Sequence, residues 1–180
     1  CACLVGSEMC IRDSLYPLYE VAGMPPSGNS VLIYLDYIED IQGLEAAIGL
    51  YQQKFRSLDL GLDYTFANML RRAGRHDEAE EIVNRKIAET EAEGGGDNND
   101  EMLQYWLVEK LRIYRNTGRY HEAVDIYHRL KELDYDEEYV NFWMVASAFA
   151  YAGMNEEALA ILEKESSRYA LTEEMYMECH

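Results

Sequence analysis

Proline fills only three of the 180 positions, and no apolar run reaches the roughly 18 residues that a bilayer span requires. The first scarcity leaves long helices unbroken, and the second excludes a membrane-spanning helix. The opening residues also lack the basic, apolar, small-residue order of a secretory signal, but with no Met at position 1 the compartment stays open, cytoplasmic being only the default. Basic residues are few, 16 Lys and Arg against 34 Asp and Glu, for a net charge of −18. A surface this acidic repels phosphate backbones and anionic lipid, which argues against nucleic acid and membranes as partners. Four cysteines, Cys1, Cys3, Cys10 and Cys179, form no CxxC and have no His at ligand spacing, so the pattern excludes a zinc site. His121 and His128 are too far apart for an i, i+4 metal pair, and "ETEAEGGGDNNDE" lacks the alternating carboxylates of a calcium loop. Phosphate loop, nucleophile elbow and HExxH are all missing, so neither an enzyme nor a cofactor is expected.

The first stretch, "CACLVGSEMCIRDS", fits neither a helical nor an alternating period. Leu4 to Asp13 resemble, residue for residue, the translation of a transposon-end adapter used in DNA library preparation. Residues 1–14 are therefore read as a non-native tail whose cysteines carry no chemistry, and 15–28 as a linker. Removing the tail takes away Glu8, Arg12 and Asp13 and leaves the rest at −17, so the acidity belongs to the chain proper.

That remainder repeats itself. "GRHDEA" at 74–79, "GRYHEA" at 118–123 and "GMNEEA" at 153–158 share Gly, then Glu-Ala, with the alanines 44 and 35 residues apart. The longer interval contains "EAEGGGDNND" at 91–100, which reads as an inserted flexible loop; about ten residues less restores a period near 34. Before each Gly runs an apolar-periodic segment, with Phe66, Met69 and Leu70 in one and Phe142, Val145, Ala146 and Phe149 in another. After each Gly, Ala79, Ala123 and Ala158 are followed four residues on by Val83, Tyr127 and Leu162, a small residue for close approach and a larger one to fill the next gap. The unit is helix, Gly turn, helix.

This Gly, Ala and large-apolar spacing resembles the tetratricopeptide repeat, most closely over 60–168. In the family's register Leu70, Tyr114 and Phe149 match the large residue late in the first helix, and Ala67 and Ala146 the small one three before it. Leu111 departs from that small position. The resemblance implies an all-α, right-handed α-solenoid of about four antiparallel helix pairs over 29–180. The pairs fall near 29–56, 60–92, 100–133 and 136–168, with Gly43, Ala47 and Tyr51 marking the degenerate first pair. Asn29 or Ser30 is expected to cap the first helix and Thr172 to start a further helix over 172–180. No terminal capping repeat is evident, so a fragment of a longer protein is expected.

The resemblance also implies a non-catalytic protein-interaction scaffold that binds a peptide or partner segment along a groove lined by the first helix of each pair. Its candidate residues are Tyr64, Asn68, Arg71 and Arg72; then Tyr105, Val108, Arg112, Arg115 and Asn116; then Val140, Trp143, Ser147, Ala150 and Tyr151. The set holds four Arg and no carboxylate, which suits an acidic or carboxylate-bearing segment, with Trp143 and the tyrosines gripping apolar side chains. Helix-dipole compensation at Arg71, Arg72 and Arg115 is the competing structural explanation. Tyr64 stands where the Lys of the family's chaperone-tail clamp would be, and only Asn68 fits that clamp. The alternative is a pentatricopeptide-type array reading single-stranded RNA, suggested by the spacing from Leu130 to Gly153 and opposed by the charge.

Overall fold

The computed structural model describes residues 26–94, 97–133, 135 and 140–178, the side chains of 97–98 and 167–178 apart. The adapter-like tail, all four cysteines and most of the expected linker lie outside the described residues. Among those residues the chain is entirely helical. In order come α1 (Gly28–Gln42), α2 (Leu44–Leu50, continued by a π turn, Tyr51–Phe55, and a 3-10 turn, Arg56–Leu58), α3 (Asp63–Arg72) and α4 (His76–Glu93). Then follow α5 (Asp97–Asn116), α6 (Tyr120–Glu132), α7 (Phe142–Tyr151) and α8 (Asn155–Glu178). Two compact units result, one ending at Ala79 and one beginning at Glu80, with the boundary inside α4. In the first, α1 packs on α2 and α2 on α3; in the second, α5 to α8 pack on their chain neighbours and α5 also meets α7. Neighbour-on-neighbour packing of this kind is that of an α-solenoid.

The three Gly turns are built alike. Gly74, Gly118 and Gly153 have φ of 77°, 76° and 82°, the left-handed region that glycine enters without a Cβ penalty. The amide after each Gly donates back across the turn: Arg75 to Leu70 O, Arg119 to Tyr114 O and Met154 to Phe149 O, each at 2.9 Å. These are Schellman turns, and their acceptors are the large late residues of the repeat register. Ala79 and Ala123 have no exposed surface and Ala158 has 5%. Their lack of a larger side chain is what the packing there uses.

Three expectations are corrected. Ser27, rather than Asn29 or Ser30, caps α1: its Oγ accepts from the Ser30 amide at 3.2 Å. The expected loop at 91–100 is mostly helix, since α4 continues to Glu93 and α5 begins at Asp97, with Asn99 Nδ2 donating to Gly94 O at 2.7 Å across the break. Glycine marks the break, and the acidic and amide residues around it are compatible with helix ends. Finally, α8 passes through Thr172 without interruption, so no new helix starts there.

In the second unit, charged side chains fasten α4 to the next helix pair. Arg119 forks onto Glu80, with Nη1 to Oε1 at 3.2 Å, while its guanidinium carbon lies 4.1 Å from the centre of the Tyr114 ring. Arg129 pairs with Glu91. The Arg119 guanidinium holds the Glu80 carboxyl below the usual carboxylate range, against the opposing effect of burial, and Tyr114 and Asn84 add hydrogen bonds. A carboxyl depressed in the folded state stabilises the fold above its unfolded value of about 4.3, and that contribution is lost as pH falls through the folded value. Glu80→Gln is therefore expected to lower Tm at pH 7, with the gap to the parent closing as pH approaches 3. Thermal melts across that range test it, and a gap independent of pH would contradict it.

Candidate functional site

In the first unit, Tyr64, Asn68 and Arg71 are half-buried on α3, and Arg72 is exposed. Arg72 is already engaged. It forks onto Glu39 of α1, Nη1 to Oε2 at 3.1 Å, and that hydrogen bond raises its pKa. The carboxylate comes from an earlier helix pair, which the local spacing around Arg72 does not reveal.

The second unit holds the other candidates, on α5, on α7 and, for Val140, just before α7. Val108 and Val140 are buried, at 3% and 5% exposure, so neither is available as a surface contact; both are core residues. Tyr105 is half-buried, its hydroxyl 3.4 Å from Glu101 Oε1, and Asn116 and Ala150 are exposed. Trp143, Ser147 and Tyr151 recur every four residues on α7 and therefore share one face. Trp143 is 62% exposed and Tyr151 69%, large values for aromatic rings in a chain with this much core. Tyr151 stacks on Tyr120 at 4.8 Å, which fixes the ring at the end of the stripe, and Phe142 lies 5.1 Å from Trp143.

Arg115 crosses between the two helices. Its Nε donates to Ser147 Oγ at 2.9 Å, and that hydroxyl donates in turn to Met144 O at 2.8 Å. Ser147 is thus a neutral anchor that orients the guanidinium, and among the described residues no carboxylate pairs with Arg115. Arg112, one turn earlier, differs: its Nη1 lies 3.1 Å from Oε2 of Glu109, a carboxylate with no exposed surface. Three of the four expected arginines are thereby divided, with Arg72 and Arg112 on carboxylates and Arg115 on a hydroxyl.

Two contributors were not singled out from the sequence. Asn141 caps α7, its Oδ1 accepting from the Trp143 amide at 2.9 Å and the Met144 amide at 3.4 Å, and so sets the point where Trp143 emerges. Asn immediately before the apolar run "FWMVASAFA" is the readable signal. Glu109 had no such signal, because burial of a carboxylate is a tertiary property. Among the described residues no group of three or more His, Cys, Asp or Glu is placed to hold a metal, and no helix is long and apolar enough to cross a membrane.

A tetratricopeptide-repeat family model matches residues 112–138, from Arg112 through the Gly118 turn and α6. Together with the helical architecture this identifies a tetratricopeptide-like helical repeat, a type of unit that serves in general as a protein-interaction scaffold. No curated protein matches the chain.

Proposed function

We propose that this chain is a non-catalytic interaction scaffold that receives an extended partner segment along the α5 and α7 face of its second unit. A partner carboxylate meets Arg115, and an apolar partner side chain lies against Trp143. The observation that carries this reading is the anchoring of Arg115 by Ser147: Nε is held by a neutral hydroxyl, and the charge is not spent on a carboxylate among the described residues. In a chain of net charge −18, carboxylates outnumber cations about two to one, and Arg115 is nevertheless held by a hydroxyl. Its remaining donors match the two oxygens of a carboxylate, and pre-orientation lowers the entropy lost on binding. Trp143, four positions before Ser147 on the same face of α7, supplies a large, stiff apolar contact of the type that dominates interface energetics.

A set of short peptides with an acidic residue next to an aromatic one, read by tryptophan fluorescence and calorimetry, tests the reading. Arg115→Gln and Trp143→Ala are each expected to weaken capture about tenfold without altering the far-UV circular dichroism. Full affinity in Arg115→Gln would remove the proposal.

A further inference from the structure

We propose that Glu109 is a positioning residue for this face: from inside the core it holds Arg112 and cancels its charge, leaving Arg115 to discriminate acidic from neutral partners. The inference rests on the reading that the α5 and α7 face binds a partner.

Glu109 is the one buried charged residue among the described residues, with 0% exposure, and it lies three positions before Arg112 on the same helix. An ionised carboxylate removed from water is costly unless a counter-charge reaches it. Arg112 supplies that charge while its own side chain keeps 29% of its surface, so the guanidinium sits between core and solvent. Within this contact the carboxylate offsets the guanidinium charge. Arg112 therefore offers a partner hydrogen-bond donors with little net attraction for an anion. Arg115 follows three positions later, so the two residues lie about one turn apart on α5. The contrast is in the second group: a buried carboxylate for Arg112, an uncharged hydroxyl for Arg115. Apolar replacements of buried ion pairs are often as stable as the pair itself, so stability alone is a weak reason for a carboxylate here. Control of Arg112 gives it a function.

Two measurements on the full chain test the proposal. The first needs no ligand: phenylglyoxal modification followed by peptide mapping. In the parent chain Arg112 is expected to react several times more slowly than Arg115, and Glu109→Gln should bring the two rates together. The second compares hexaglutamate with hexaglutamine peptides. Glu109→Gln should tighten hexaglutamate binding about tenfold and leave hexaglutamine unchanged, and Glu109→Gln with Arg112→Gln should return the ratio to the parent value. A merely structural Glu109 would instead lower Tm and weaken both peptides alike, which overturns the proposal, as does an Arg112 rate insensitive to Glu109→Gln. If Glu109→Gln does not fold, Glu109→Asp is read the same way with a smaller rise in the Arg112 rate, and no rise overturns the idea. Hexaglutamate binding that is absent, or indifferent to Arg115→Gln, defeats the reading of the face, while the modification rates still decide the role of Glu109.

Discussion

Leu111→Ala is expected to cost about 2–5 kcal/mol of unfolding free energy, although it writes the small residue of the repeat register into α5. The corresponding positions Ala67 and Ala146 are buried at 0% and 3%, and Leu111 itself is fully buried. Helix α5 is contacted by both α6 and α7, and Leu103, Trp106, Leu107, Val108 and Ile113 are buried with it, so its apolar surface extends beyond one stripe. Side chains packed around a leucine collapse only partly when it is trimmed, and the lost transfer energy is joined by a cavity term. Urea unfolding followed by circular dichroism measures the loss. A change below about 1 kcal/mol would show that α5 can close on alanine and that the departure at Leu111 is tolerated rather than used.

The second large effect runs in the opposite direction, from small to large. Ala123→Leu is expected to destabilise by about 1–3 kcal/mol, because three added carbons at a site with no exposed surface must displace neighbours in α5 and α6. Ala160→Leu supplies the control: Ala160 is exposed on α8, and a leucine there should change stability by no more than about 0.5 kcal/mol. Both substitutions keep good helix formers, so propensity does not separate them. Equal effects would mean that the Glu-Ala step of the repeat is not a packing constraint, and the nesting of second helices on first helices would lose its support.

Both predictions use positions that the repeat spacing marks, and they show how the candidate site differs from the fold. Spacing of Gly74, Gly118 and Gly153 located three turns whose hydrogen bonds are the same, because a turn is closed by residues within six positions of one another. The adapter-like residues and the insertion at 91–100 illustrate two different limits. The former lie outside the described residues. The latter reads as loop by composition, yet its ends extend helices, since helix propagation needs only local hydrogen bonds once α4 and α5 are held by their neighbours.

For the candidate residues the local signal was weaker. Four arginines in helical register look interchangeable as letters. Glu39, 33 positions from Arg72, and Ser147, 32 positions from Arg115, give two of them different electrostatic lives. Ion pairing and hydrogen bonding act over a few ångströms, whereas the separation along the chain is set by how helices stack.

From its residues alone, then, this protein is a helical repeat with glycine-closed turns, alanine-lined helix contacts and an acidic surface. Those properties follow from local backbone geometry, from the period of apolar side chains and from a charge count. Folding decided which arginine is neutralised by a buried carboxylate, which is anchored on a hydroxyl, and which aromatic rings stay in water. Desolvation and close-range electrostatics depend on the neighbours that packing brings within reach, and those neighbours come from distant parts of the chain.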